Sequence, residues 1–347
     1  MPPSYKQCLI KTKPMTTIEF DHRQTAHCES GAMSALLRHS GLDISEPMVF
    51  GIANALTFAY LPFVKISGMP MIAYRMPPGR LIKGFASRLG VTMQFERFRD
   101  AEQGMLALNR HLDQGRPVGL QASVYWLPYF PQDMRFHFNA HNLVAYGYEG
   151  EQYQLSDPTF EHPVSSDYQA LKKARFVKGM LAPKGLIYYP TNIPDNADLP
   201  QAIRKAIKGS VNMMLRTPLP IIGVGGIRYV AKKFRAMGAT HERKESHNKL
   251  VIGHMVRMQE EIGTGGAGFR FLYASFLQEA AGLLDSPKLE ASSQQFTDTG
   301  DEWRRFALFA AKMLKGRMAL DYDKLADQLL VIADSETNSF RQLQQAI

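Results

Sequence analysis

Residues 141–158 read HNLVAYGYEGEQYQLSDP, and no other stretch of the chain limits the fold so tightly. An apolar run from His141 to Tyr148 has strand composition. The polar tetrapeptide Glu149-Gly150-Glu151-Gln152 has the chemistry of a hairpin turn, and Tyr153–Ser156 reads as the returning strand. Asp157-Pro158 ends it, because proline has no N–H to give to a ladder. Two adjacent antiparallel strands are therefore expected here, which rules out an all-helical fold. Their geometry also sets the start of one strand, His141, beside the end of the next, Asp157.

Around this hairpin the N-terminal half reads as mixed helix and strand. Glu29–His39 is expected to be a helix with Met33, Leu36 and Leu37 on one face and Gly41 at its left-handed stop. Ser45-Glu46-Pro47 opens another, with Ser45 as N-cap. Helices are expected over Arg80–Arg88, stopping at Gly90, and over Ala101–Gln114, closed by Gly115. Short strands are expected near Val91–Phe95 and within Pro117–Trp126. Gly51–Pro78, rich in glycine, proline and aromatics, is expected to be loop. Three prolines in Pro190–Pro200 mark a linker. Beyond it lie helical stripes through Phe269, Phe276 and Leu284, and through Trp303, Phe306 and Met313, the second opened by Asp301-Glu302. These readings give an α+β catalytic domain over residues 1–190 and a mostly helical domain over 200–347.

Composition narrows the classes further. Cys8 and Cys28 are the two cysteines, too few for a disulfide framework, and the histidines show no zinc-ligand spacing, so no metal is expected. The first twenty residues carry Lys6, Lys11 and Lys13 without a long apolar core, so no signal peptide is expected. The most apolar stretch, Val211–Val230, is broken by Arg216, Pro218, Pro220 and Arg228, against a spanning helix. A cytoplasmic location is the expectation. Charge is concentrated: residues 201–257 hold twelve Lys/Arg against Glu242 and Glu245, a local +10 in a chain of net +9. An acidic partner suits such a segment. Nucleic acid is not expected, since Tyr229 and Phe234 are the segment's few aromatics and no binding motif accompanies them. Peripheral contact with an anionic membrane through Leu219–Ile222, or a plain solvated face, stays open.

Cys28 immediately precedes a predicted helix. A thiol there feels unpaired N–H groups and the positive end of the helix dipole, which favour thiolate and can hold an oxyanion. A nucleophilic thiolate needs a base, and the base an orienting group; His141 and Asp157 supply these types at adjoining strand ends. The other reading of Cys28 is an inert buried thiol. Gln24, four residues earlier, is a candidate oxyanion donor or a loop anchor. His22, His27 and His137 are rival bases, and Glu29 suits a first-turn helix stabiliser better than a catalyst. Gly263–Gly268 (GTGGAG) follows a helical stretch rather than a strand, so a dinucleotide site is not expected. A tight loop opening the Phe269 helix is; holding a phosphate, with Arg270 nearby, is the alternative.

The order helix-Cys, strand-His, strand-Asp resembles the papain-like fold, especially peptidases that process bacteriocin leaders. More closely, HCESGAMSALLRHSGLDISEPMVFGIANALTFAYLP resembles the N-terminal domain of the butirosin biosynthesis protein H (BtrH) family. EEIGTGGAGFRFLYASFLQEAAGLL and EWRRFALFAAKML resemble the helical domain that usually follows it. The resemblance implies a papain-like acyltransferase with Cys28, His141 and Asp157 in the matching positions. It implies transfer of an acyl group from an acyl-carrier-protein thioester to an amine on a small molecule. No resident cofactor is then expected, since phosphopantetheine arrives on the carrier. The acidic carrier suits docking at Arg228, Lys232, Lys233 and Arg235. The alternative is a cysteine hydrolase (peptidase, amidase or thioesterase) using the same three residues. Acyl chain, acceptor and oligomeric state stay unspecified.

Overall fold

A computed structural model describes residues 16–66, 68–239 and 245–347. Cys8, the lysines at 6, 11 and 13, and Glu242, Arg243 and Lys244 of the basic segment lie outside the described residues. In chain order the elements are β1 (Thr16–Thr17), α1 (Cys28–His39), α2 (Glu46–Ile52), β2 (Leu56–Ile66), β3 (Met69–Arg75), α3 (Arg80–Leu89), β4 (Thr92–Glu96), α4 (Ala101–Asp113) and β5 (Val118–Ala122). They continue as β6 (His141–Glu149), β7 (Gln152–Ser156), β8 (Val164–Asp167), α5 (Tyr168–Phe176), β9 (Ile187–Asn192), α6 (Leu199–Leu215), α7 (Gly223–Gly238), α8 (Glu245–Glu260), α9 (Arg270–Leu284), α10 (Pro287–Leu314) and α11 (Tyr322–Gln345). The fold is α+β, with an antiparallel sheet and a helical C-terminal half. Among the described residues no helix is long and apolar enough to cross a membrane.

The chain forms two compact units. One holds the described residues up to Gln24 together with Gln94–Tyr189; the other holds Thr25–Met93 and Pro190–Ile347. This is a division by compactness, whereas 1–190 and 200–347 divide the chain along its length.

The first unit is built on a sheet ordered β4-β9-β5-β6-β7-β8, with β1 also pairing β6. Central β6 is buried at every position except Tyr146 and Glu149, held between β5 and β7 with α4 packed on it. Its start lies against β5, Ala122 opposite His141 and Val118 opposite Ala145. The turn to β7 follows the sequence reading, with Gly150 at φ +58°, where only glycine sits without strain. Helix α4 begins at Asp100, whose side chain takes the Gln103 N–H. It lays Met105, Leu108 and Leu112 onto Val118, Leu120, Leu143 and Leu155 to make the core. The stretch Pro117–Trp126 is strand only to Ala122; Val124–Trp126 makes a single tight helical turn.

The second unit departs from expectation in three places. Helix α1 buries ten consecutive residues, Cys28–Leu37, rather than one face. Its small residues Gly31, Ala32, Ser34 and Ala35 let neighbours approach from every side. Gly51–Pro78 is not loop: β2 and β3 pair as an antiparallel ribbon, with Ile72 and Tyr74 on its buried face. The prolines that argued against strand sit where a ladder tolerates them. Pro62 falls in the irregular step between Leu61 and Lys65, and Pro70 stands near the turn. Finally, Asp301-Glu302 does not start a helix; α10 runs from Pro287. Its upstream buried face is made by Leu289, Ser292, Ser293, Phe296 and Thr299. Hydroxyls of Ser292 and Thr299 bond carbonyls four residues back, at 2.8 Å each, so polar residues fill a buried stripe. Trp303 of α10 then receives Phe58 and Tyr74 of the ribbon at ring separations of 5.9 and 5.5 Å.

Candidate active site

Asp157 follows β7 directly. Val144 faces Ser156, so continuing that register sets Asp157 opposite Leu143, a same-face diagonal neighbour of His141. The pair closes: His141 Nε2 lies 2.6 Å from Asp157 Oδ2, with both side chains buried. An ionised carboxylate only accepts, so Nε2 carries the proton and Nδ1 is the unprotonated, basic nitrogen of the ring. Burial pushes the Asp157 carboxyl up, but the His141 ring and the Thr159 hydroxyl and N–H together hold it below the ordinary carboxylate value. The Thr159 N–H and hydroxyl both donate to Oδ1, at 3.0 and 2.8 Å. Tyr129 donates its hydroxyl to Oδ2 at 2.9 Å. The Thr159 bonds were legible as the local turn chemistry of an aspartate. Tyr129 left no sequence signal, since it sits 28 residues away on a loop.

Cys28 is the first residue of α1, in the second unit, and its side chain is buried. The residue before it, His27, is the N-cap: its extended backbone ends the incoming chain, and its Nδ1 takes the Ser30 N–H at 3.4 Å. A second device, not anticipated from sequence, comes from α2. Glu46 accepts the Ala26 N–H at 2.8 Å, the His27 N–H at 2.7 Å and the Ser30 hydroxyl at 3.0 Å. Two N–H groups just ahead of α1 are thus satisfied by a carboxylate twenty residues on. Burial pushes the Glu46 carboxyl up, against the pull of those hydrogen bonds. Glu29 is fully buried and accepts from Arg75 and from the Gly79 N–H at 3.2 and 2.8 Å, anchoring α1 to the start of α3. Burial raises its carboxyl too, with Arg75 opposing.

The remaining candidates have definite places. Gln24, in the first unit, is exposed and donates its amide to the Thr159 carbonyl at 3.4 Å. His22 bonds Ser156 Oγ at 2.7 Å and the Phe160 carbonyl at 3.1 Å. His137 precedes β6, is exposed and stacks on Tyr125 at 4.2 Å; of the two, His141 is the one on the strand. The Gly263–Gly268 loop does open the Phe269 segment, with Gly263, Gly265, Gly266 and Gly268 all at positive φ. Its neighbour Arg270 does not suit a phosphate. The guanidinium is fully buried, donates to Glu336 at 2.7 Å and ties the Gly268 carbonyl at 2.7 Å. On α7, Arg228, Lys232, Lys233 and Arg235 are exposed; Arg228 pairs with Asp334 at 2.6 Å and Arg235 with Asp327, both on α11. Among the described residues no group of three His, Cys, Asp or Glu side chains is placed to hold a metal ion.

Two family models match. One, described as butirosin biosynthesis protein H, N-terminal, covers residues 27–158; the other, a domain of unknown function (DUF4872), covers residues 169–343, just over half the chain. Solved structures similar to it include a protein described as a C39-like peptidase from Bacillus anthracis. That match has a TM-score of 0.37 and 14% identity over 52% of this chain and 100% of the other. Another is the peptidase domain of Streptococcus ComA, a bifunctional ABC transporter of a quorum-sensing pathway. Its TM-score is 0.33, at 12% identity over 51% of this chain and 100% of that domain. No curated protein matches the chain.

Proposed function

Starting from a chain that belongs to the family joining a butirosin biosynthesis protein H N-terminal domain to DUF4872, we propose that it is a cysteine-dependent acyltransferase. Family membership supports a cysteine enzyme of biosynthesis; acyl transfer from a carrier-protein thioester to an amine is the finer reading. The observation that supports it is the buried His141–Asp157 pair at 2.6 Å, in which Asp157 fixes the tautomer whose basic nitrogen is Nδ1. The nucleophile in this reading is Cys28 at the mouth of α1.

His141 Nδ1 takes the Cys28 proton, and the thiolate attacks the thioester carbonyl. N–H groups of the first turn of α1 hold the oxyanion, with Gln24 as a further donor. Collapse breaks the bond to the carrier sulfur, which takes the proton from the imidazolium and leaves as a thiol. Cys28 is then S-acylated. An amine attacks that carbonyl while His141 accepts its proton; the C–S bond breaks, and an amide and the free thiol form. Asp157 holds the ring in one tautomer throughout. The carrier, being acidic, docks on the exposed basic side of α7, where Arg228, Lys232, Lys233 and Arg235 exchange some internal pairing for its carboxylates.

Intact-mass measurement after exposure to a panel of acyl-carrier thioesters tests the first half-reaction. An added acyl mass that maps to Cys28, absent in Cys28→Ala, is expected. Adding amines should then discharge it as amide; free acid in their place identifies a hydrolase. No adduct on a folded enzyme across the panel overturns the proposal.

A further inference from the structure

Tyr129 reaches the His141–Asp157 pair through its hydroxyl, and its neighbour Phe130 packs on the His141 ring. It lies in the segment between Val124–Trp126 and β6, and that segment is pinned from within. Arg135 donates Nε to the Phe130 carbonyl at 2.8 Å and a second nitrogen to the Pro128 carbonyl. Phe130 sets its face edge-on to the His141 ring at 5.4 Å, and Phe160 closes on Phe130 and Tyr129 at 4.8 and 5.2 Å. The loop thus covers the imidazole with one aromatic ring and addresses the carboxylate with the hydroxyl of the next. That hydroxyl chooses the oxygen His141 also uses: Oδ2 accepts from Tyr129 at 2.9 Å and from Nε2 at 2.6 Å, while Thr159 occupies Oδ1.

We propose that Tyr129 is a positioning residue that sets the basicity of His141 by drawing negative charge from the Asp157 oxygen facing it. This rests on His141 being the base in the reading above. A carboxylate oxygen with one donor stabilises an imidazolium more than an oxygen shared between two. The Tyr129 hydroxyl therefore weakens the hold on the imidazolium, so that the proton can leave with the departing thiol. Among the described residues, the titratable and charged groups on the elements around the pair include Tyr129 on Asp157 Oδ2, His22 on Ser156 and Phe160, and Arg135 on the loop carbonyls. Burial and the Asp157 charge push the Tyr129 hydroxyl well above its ordinary value, so it stays a neutral donor.

The test is NMR titration of ring nitrogens in the full-length protein labelled with ¹⁵N-histidine, His141 being assigned by loss of its signals in His141→Asn. Tyr129→Phe keeps the ring packing and removes the donor. The His141 pKa should rise by about 0.5–1 unit, and the acid limb of the pH–rate profile, where the base becomes protonated, should move up with it. Replacing Tyr129 with 3-fluorotyrosine, a stronger donor of nearly the same shape, should shift both the opposite way; this variant serves if the Phe variant does not fold. An unchanged His141 titration in either folded variant overturns the proposal, as does a shift of the same sign in both. A shifted titration with no acyl adduct on Cys28 keeps Tyr129's role and sinks the acyltransferase reading instead.

Discussion

Replacing Glu46 by glutamine changes no volume, yet it should cost the protein about 2–3 kcal/mol. The carboxylate is buried and takes two backbone N–H groups and the Ser30 hydroxyl, at 2.7–3.0 Å. A glutamine carbonyl can stay with His27 and Ser30, but its NH₂ then meets the Ala26 N–H, donor against donor. The loss is one charge-assisted bond, of about 1.5–3 kcal/mol, and the part-buried Ala26 N–H is left facing a donor, at the low end of about 1–3 kcal/mol. Relief of the buried charge, visible in the raised Glu46 carboxyl, returns part of this. Urea unfolding followed by circular dichroism should show a midpoint lower by roughly 1 M at unchanged slope. Amide exchange at Ala26 and His27 should quicken, because the chain ahead of α1 loses its tether. A change below about 0.5 kcal/mol, with exchange at these amides as before, refutes the reasoning.

Asp157→Asn should lower turnover by about 10²–10⁴-fold in steady-state assays, since the amide no longer fixes the His141 tautomer. Its pH signature follows from the sign of the shift. A carboxyl held below its ordinary 3.8 contributes stability that is present above that value and lost as pH falls through the lowered one. Wild-type melting temperature should therefore drop more steeply in acid than the variant's, and parallel curves refute the point. Glu336→Gln leaves the buried Arg270 guanidinium without its counter-charge and weakens the acceptor of Trp303 Nε1 at 2.8 Å. A loss of about 3–5 kcal/mol by calorimetry is expected, and one under about 1 kcal/mol argues against that pairing. Gly51→Ala should destabilise by about 1–3 kcal/mol despite alanine's better helix propensity, because the new Cβ would stand 2.0 Å from the Phe276 ring. A variant more stable than wild type refutes that close approach.

The elements read most accurately were those whose evidence is local. Gly41, Gly90 and Gly115 all take positive φ at the ends of α1, α3 and α4, as a left-handed stop requires. Ser45 caps α2 by accepting the Met48 N–H at 3.2 Å. The β6–β7 hairpin and its His141–Asp157 pair needed only a turn and an alternation. Misreadings arose where a residue's ordinary preference was overridden by packing. Prolines 62 and 70 suggest loop where an irregular ladder absorbs them, and Asp301-Glu302 suggests a helix start where α10 runs through from Pro287.

Backbone preference acts over three or four residues, so helix stops, caps, one hairpin and the residue types at its mouth were all written in the linear order. Satisfying a buried charge or an unpaired N–H draws on whatever the fold brings near, and linear order carries no record of that. Glu46 tethering the chain before Cys28, Tyr129 sharing the Asp157 oxygen and Glu336 neutralising Arg270 each join residues between 19 and 66 positions apart. Only the tertiary structure could choose those partners, because burial first makes them necessary and then makes them possible.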